Sequence, residues 1–302
     1  MRRFLTRSFI VCVGLCAAVA GEPRALRLDQ TTMLSDLKTL SDPALEGRGM
    51  GTPGHAKARA YVISRFQALG LGKVGASFEQ PFELQGRKGV NLVARIEGAK
   101  HADTYMVLSA HLDHLGVRKG EIYPGADDDA SGVSAVLGLA TYLHTHRPDH
   151  SVLIVFFDGE EIGLLGSRAF VADPPVPLAK IRMDLSLDMV GRNDKKELWA
   201  CGANRWPKLK PAVDAAASKS ALSLRSGHDG SDGQEDWTSS SDHGSFHHKG
   251  IPFIYLGEED HQDYHRPTDT FAGIQPEFFQ AASETALDLF LELDRHPSRM
   301  DR

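Results

Sequence analysis

The feature of this 302-residue sequence that most narrows its fold is the run Val152-Leu153-Ile154-Val155-Phe156-Phe157, apolar without interruption and cut off by Asp158-Gly159-Glu160-Glu161. A strand with one wet face alternates apolar and polar residues. A continuous apolar run suits a strand covered on both faces, the usual situation of parallel strands between helices. The neighbouring pattern agrees. Strand-like segments at 78–82, 91–96 and 104–109 precede a helix near 130–144, whose apolar face is Val133, Val136, Leu137, Ala140 and Leu143. A short helix near 162–171, a strand at 181–188, a helix near 207–219, a strand at 251–256 and a closing helix near 276–294 follow. Alternation of this kind predicts an α/β fold. Upstream, residues 29–46 read as helical, and Thr52 as N-cap with Pro53 at the first position opens a second helix that Gly70 ends. Linker candidates are short, so residues 25–296 read as a single domain.

The first twenty residues stand apart. Arg2, Arg3 and Arg7 precede an apolar stretch at 9–20 that closes on Ala18-Val19-Ala20. This pattern predicts a cleaved export signal at 1–20, and hence a periplasmic or secreted protein. A membrane anchor fits poorly, because twelve residues of helix rise only about 18 Å against a hydrocarbon core of about 30 Å. Cleavage would remove Cys12 and Cys16, leaving Cys201 as the only thiol and no intramolecular disulfide. Cys201 follows Leu198-Trp199-Ala200 in a strand-like run and reads as a small core residue. The formal net charge of -6 supplies no positive field for nucleic acid or anionic lipid, so neither is an expected partner, and no stable membrane insertion is expected.

Five acidic or histidine clusters follow strand-like segments, and open α/β sheets bind ligands at the carboxyl ends of their strands. The first is Ser109-Ala110-His111-Leu112-Asp113-His114, where a carboxylate such as Asp113 could orient His111 as a ligand. The second is Gly125-Ala126-Asp127-Asp128-Asp129-Ala130-Ser131-Gly132. Helix capping accounts for Asp129, but three adjacent carboxylates repel one another without a cation. Glu160-Glu161 form the third, with diverging side chains: one could bind metal while the other faces a reacting water. Asp188 ends the fourth, and Tyr264-His265-Arg266-Pro267-Thr268-Asp269 form the fifth, with His261 competing. Together they supply a mixed N/O donor set suited to zinc, and two metals become plausible if a loop aspartate such as Asp128 bridges ions about 3.5–4 Å apart.

In these motifs the sequence resembles the two-zinc exopeptidases of the bacterial leucyl aminopeptidase type, whose fold glutaminyl cyclases share. The resemblance is carried by Leu45-Glu46-Gly47-Arg48-Gly49 with Gly51-Thr52-Pro53-Gly54, by Ala110-His111-Leu112-Asp113 and the Asp-rich 125–132 segment, and by Glu160-Glu161-Ile162-Gly163-Leu164-Leu165-Gly166-Ser167. Leu187-Asp188-Met189, Ser241-Asp242-His243 and His265-Arg266-Pro267-Thr268-Asp269-Thr270 complete it. It implies a three-layer α/β/α fold with a mixed, largely parallel central sheet and an aminopeptidase acting on peptides with a free N-terminus. It also implies two Zn2+: His111 and Asp188 on one, Glu161 and His265 on the other, Asp128 bridging. Glu160 would be the general base, Asp113 would orient His111, and a cis peptide would join Asp128 to Asp129. There is no protease-associated insertion domain, so loops should set substrate access, and 226–233 is a candidate mobile rim.

Rival readings carry distinct signatures. Glutaminyl cyclase, a one-zinc acyltransferase, shares Phe157-Asp158-Gly159-Glu160-Glu161, but the Asp-rich loop and the 162–167 continuation follow the peptidase pattern. A non-catalytic binding protein on this scaffold would be expected to have lost ligands or the base, and all remain. Neither a Gly-x-Ser-x-Gly elbow, a His-Glu-x-x-His helix nor a phosphate loop occurs. His144, His146 and His150 read as a polar connection and His247-His248 as a helix end, while His243 is open between lining a pocket and packing locally.

Overall fold

The apolar run lies within a strand, His150–Phe157, in which every residue is buried. The computed structural model describes residues 25–230 and 232–301, so the expected export signal lies outside the described residues. In chain order the strands are β1 (Gly72–Lys73), β2 (Glu79–Leu84), β3 (Arg87–Ile96), β4 (His101–His111), β5 (Gly116–Arg118), β6 (Glu121–Tyr123), β7 (His150–Phe157), β8 (Ile181–Leu187), β9 (Glu197–Cys201), β10 (Ser223–Ser226) and β11 (Phe253–Gly257). The helices are α1 (Gln30–Leu40), α2 (Pro53–Ala68), α3 (Gly132–Thr145), α4 (Leu165–Ala172), α5 (Lys210–Ala217), α6 (His243–His248) and α7 (Pro276–Arg295).

The main sheet runs β1-β3-β7-β4-β8-β11-β9-β10, with β2 paired to β3. Its centre, β7-β4-β8-β11, is parallel. The flanks are not: β3 meets β7 and β9 meets β11 antiparallel. The sheet is thus mixed, as expected, with parallel pairs in its centre and at its β9–β10 edge. One physical reason is the β2–β3 hairpin, whose Gln85-Gly86 turn has both residues at positive φ, matching the strand twist and forcing an antiparallel pair.

Alternation along β7 sends its side chains to two cores. Val152, Ile154 and Phe156 join residues of α1, α2, α3, α5 and α7 on one face. Leu153, Val155 and Phe157 join Phe170 and Val171 of α4 and Phe246 of α6 on the other. This is the three-layer α/β/α arrangement, and each fully buried Phe contributes about 1.5–3 kcal/mol of transfer free energy.

Two element boundaries differ from the sequence pattern. The helix expected over 29–46 stops at Leu40, because Asp42 caps a new 3₁₀ turn led by Pro43. The helix near 162–171 begins only at Leu165, since Gly163 and Leu164 hold positive φ. The parallel centre points β4, β7, β8 and β11 the same way, so their carboxyl ends share one rim.

Candidate metal centre

His111 is the last residue of β4, Glu160 and Glu161 follow β7, Asp188 follows β8, and His265 sits beyond β11. Asp128 reaches the same rim from the 126–131 loop that runs into α3. Its carboxylate divides between two groups. Oδ1 lies 3.1 Å from His111 Nε2, which is 3.6 Å from Asp188 Oδ1. Oδ2 lies 3.1 Å from His265 Nε2, which is 3.3 Å from Glu161 Oε2. All five side chains expected as ligands therefore converge, one aspartate facing both halves.

The loop is held by its neighbours' acids rather than by Asp128. The Asp269 carboxylate accepts from the backbone N–H of Asp127 and Asp128 at 3.0–3.2 Å. Asp129 accepts from the N–H of His111 (3.1 Å), Gly132 (2.8 Å) and Met189 (3.3 Å), clamping β4, α3 and the end of β8 together. Asp127 Oδ1 accepts from Gly191 N–H at 2.7 Å. Glycine is required at two points: a Cβ on Gly125, at φ +59, would meet Asp128 O at 2.1 Å, and one on Gly132 would meet Asp129 Oδ1 at 2.3 Å. The Asp128–Asp129 peptide is cis.

Glu160 lines the same cavity as His111, Asp128 and Asp188. Burial pushes its pKa well above the carboxylate range; His111 opposes this and Asp242 adds to it. A carboxylate so placed is poised to take and return a proton. Asp113 has a different task from the one the sequence suggested. His111 Nδ1 is held by the backbone carbonyl of Asp113 at 3.0 Å, while the carboxylate is 3.9 Å away. The carboxylate instead accepts from Glu160 N–H at 3.1 Å. The chain leaves β4 with its carbonyl toward the ring and its side chain toward the β7 exit. His111 thus keeps its Nδ1–H on that carbonyl and turns Nε2 toward the carboxylates, where a metal would replace the Nε2 proton.

The electrostatics call for a cation. Burial disfavours charge on His111, yet Asp188 and Glu160 outweigh it and hold the imidazole pKa well above its ordinary value. Burial would raise Asp128, but His114 and the hydrogen bonds from His111 and His265 overcome it and hold it well below the usual range. His114 Nδ1 and Glu161 Oε1 approach to 2.6 Å, yet neither atom makes a hydrogen bond of acceptable angle. Two histidine-and-carboxylate donor groups with orphaned buried atoms fit a transition metal.

Two residues escaped the sequence reading. His114, fully buried, lies 3.7 Å from Asp128 Oδ2 and beside Glu161, in the second donor group. Arg48, also fully buried, donates to four carbonyls, those of Leu40, Leu112, Pro124 and Gly125. A lone arginine in a glycine-rich segment was the available signal.

A third group, Asp127, Glu258 and His261, gathers nearby. His261 Nδ1 accepts from Asp263 N–H at 3.1 Å, so in the neutral ring Nε2 carries the proton and points it at Asp127 Oδ2, 3.2 Å away. His261 therefore faces Asp127 and Glu258, whereas His265 faces Asp128 and Glu161. Glu258 is pushed up to about 12 by burial and Asp127. His243 settles on the packing side: its Nε2 meets Trp237 O at 2.8 Å between the rings of Phe253 and Tyr255, and burial lowers its pKa to about 3. His150 is tied to Asp294 at 2.8 Å rather than lying in a merely polar connection. The 226–240 segment supplies Glu235, Trp237 and Ser240 to the cavity wall.

Comparison with known proteins agrees with this geometry. Residues 91–290 match Peptidase family M28. Aminopeptidase YwaD of Bacillus subtilis is 30% identical over 217 residues, covering 67% of this chain and 44% of that protein. Leupeptin-inactivating enzyme 1 of Streptomyces exfoliatus is 30% identical over 161 residues, covering 52% and 34%. The chain thus spans less than half the length of these curated relatives. Among solved structures, BSAP, a zinc aminopeptidase from Bacillus subtilis, superposes with TM-score 0.71 at 18% identity over 88% of this chain and 96% of that one. Porphyromonas gingivalis glutaminyl cyclase superposes with TM-score 0.73 at 22% identity over 88% and 99%. At such identities the likeness shows the fold alone, but the family match covers well over half of the sequence, and the chain belongs to peptidase family M28.

Proposed function

We propose that the protein is a zinc aminopeptidase that uses two ions to hydrolyse the N-terminal residue of peptides. The observation that carries this reading is Asp128, whose two oxygens face separate histidine-and-carboxylate groups beside Glu160. His111 and Asp188 would hold one ion, Glu161 and His265 the other, with Asp128 shared. Bound zinc supplies Lewis acidity, lowering the pKa of water and polarising a carbonyl. The chain's own contribution is proton traffic and alignment. Glu160, with its raised pKa, would take the proton of the attacking water and return it to the leaving amine. Asp113 holds the Glu160 backbone, and Asp129 holds the His111 backbone, so base and ligand keep a fixed spacing. The donor group around Glu161 and His265 also favours a two-ion peptidase over one-ion cyclisation of glutaminyl peptides.

The test is a metal analysis of purified protein together with aminoacyl, N-blocked aminoacyl and glutaminyl substrates, with and without chelator. The reading expects about two zinc per chain and chelator-sensitive cleavage of unblocked substrates only. Ammonia release from glutaminyl peptides, or no hydrolysis at full zinc loading, overturns it. Export is proposed on the 1–20 segment, and an N-terminus of the mature protein at Met1 would refute it.

A further inference from the structure

The expected metal ligands His111, Asp128, Asp188 and His265 line a cavity of about 140 Å³ but are only part of its lining. The same cavity is lined by three further acidic side chains, Glu235, Glu258 and Asp260, and by the aromatic side chains of Trp237 and Tyr264. The basic groups in this region are already engaged with other acids. Arg192 pairs with Asp263 at 2.8 Å, His228 with Glu259 at 3.2 Å, Arg205 with Asp236 at 3.2 Å and His261 with Asp127 at 3.2 Å. Among the described residues, neither Glu235 nor Asp260 makes an ion pair. Glu258, only 3% exposed, lines the cavity as a neutral carboxyl whose oxygens lack a hydrogen-bond partner, His261 Nε2 approaching Oε1 only to 4.0 Å. The two exposed acids, Glu235 and Asp260, bring like charge to one cavity, which is costly unless a cation joins them, and aromatic rings favour cations.

We propose that this lining selects peptides whose N-terminal residue carries a cationic side chain, lysine or arginine. The inference rests on the aminopeptidase reading and names its substrate class. One acid is enough for the α-ammonium that every N-terminal residue shares. The surplus acids can therefore discriminate only through the side chain. Glu235 and Asp260 supply the charge at the mouth, while Glu258 offers an unpaired polar group deeper in.

An exposed ion pair contributes at most about fivefold, so two of them set a selectivity of order tenfold. The experiment measures kcat/KM of the zinc-loaded protein for lysyl, arginyl, leucyl and glutamyl p-nitroanilides. Lysyl and arginyl substrates are expected to exceed leucyl by about tenfold, with glutamyl the poorest, and the lysyl-to-leucyl ratio is expected to shrink as salt rises. In E235Q/D260N that ratio is expected to fall toward one, and D260K should raise the glutamyl-to-lysyl ratio. The salt titration needs no variant and stands even if a substitution disturbs folding. A leucyl rate equal to or above the lysyl rate overturns the inference while leaving the aminopeptidase reading intact. Equal loss of both substrates in E235Q/D260N also overturns it, assigning the acids to the shared α-amine. Failure to cleave any of the four at full zinc occupancy instead overturns the aminopeptidase reading, and the inference with it.

Discussion

Replacing Arg48 with methionine keeps a flexible unbranched stem, shorter than arginine, and removes the guanidinium with all of its donors. In the native protein Nε donates to Leu112 O at 2.9 Å, Nη1 to Leu40 O at 2.7 Å and Pro124 O at 2.6 Å, and Nη2 to Gly125 O at 2.9 Å. These carbonyls belong to the end of α1, the exit of β4 and the entry to the Asp-rich loop, so one guanidinium ties three segments together. The same charge faces Asp113, Asp128, Asp129 and Asp269. Each buried carbonyl left without a donor costs about 1–3 kcal/mol, while burying a neutral side chain in place of a charged one returns part of the sum. A net loss of about 3–5 kcal/mol results, the range found when one partner of a buried charged network is removed. For a domain of this size that lowers the melting temperature by roughly 10 °C. Scanning calorimetry on chelated protein reads it directly. Arg48→Lys, which keeps the charge but cannot fork to four carbonyls, should fall between wild type and Arg48→Met. A melting temperature for Arg48→Met within about 2 °C of wild type would refute the reasoning, because the guanidinium would then be dispensable to the loop.

Glu160→Gln should keep zinc content near wild type while kcat falls by about 10²–10⁴, since it deletes proton transfer and preserves shape; metal analysis beside steady-state kinetics checks both halves. Asp128→Ala should lower zinc content and thermal stability together, and full occupancy in that variant would remove the bridge. His114→Ala should weaken the second of two zinc affinities by roughly tenfold or more in competition with a chromophoric chelator, and two unchanged affinities would exclude His114 from that half of the site. His243 titrates near 3 when folded, against an ordinary value near 6.5. The unfolded chain therefore takes up a proton that the native protein refuses, and stability declines as pH drops from about 6.5 toward 3 by about 1.4 kcal/mol per pH unit. In His243→Gln the urea-unfolding free energy of chelated protein should lose one proton's worth of that slope; an unchanged slope rejects the neutral buried histidine.

What could be read from the sequence was residue type at strand ends. The run at 152–157 is buried on both sides, and the ligands after β4, β7 and β8 lie on one rim because parallel strands leave the sheet in the same direction. What could not be read was the path of the chain once it leaves the sheet. His111 and Asp113 are two apart, a spacing that suggested carboxylate-to-imidazole contact, yet the backbone carbonyl meets the ring and the carboxylate turns to Glu160. His114 enters the second donor group because its own backbone is fastened to the 43–49 segment, through a bridge to Gly49 and an N–H donated to Arg48 O at 3.4 Å. Those contacts span more than sixty residues of chain, beyond any local periodicity. Arg48 is the same case: three of its carbonyl acceptors lie 64, 76 and 77 residues away.

In the Asp-rich loop a capping role and a metal-facing role fall to different aspartates. Asp129 takes the Gly132 N–H at the start of α3, as a helix cap would, and two further N–H groups besides. Asp127 takes Gly191 N–H, and Asp269 takes the N–H groups of Asp127 and Asp128 themselves. Each of these carboxylates is paired with backbone donors, and the buried Arg48 supplies a counter-charge to Asp129 and Asp269. Asp128 is the exception. Its oxygens find only imidazoles, His111 on one side and His265 and His114 on the other, and an imidazole that must keep a proton to satisfy them is a weaker partner than a divalent ion. The neighbouring acids therefore build the loop, and their consumption by the backbone is what leaves Asp128 free to face both donor groups. Substituting Asp129 should accordingly damage the scaffold before the chemistry, and substituting Asp128 the reverse.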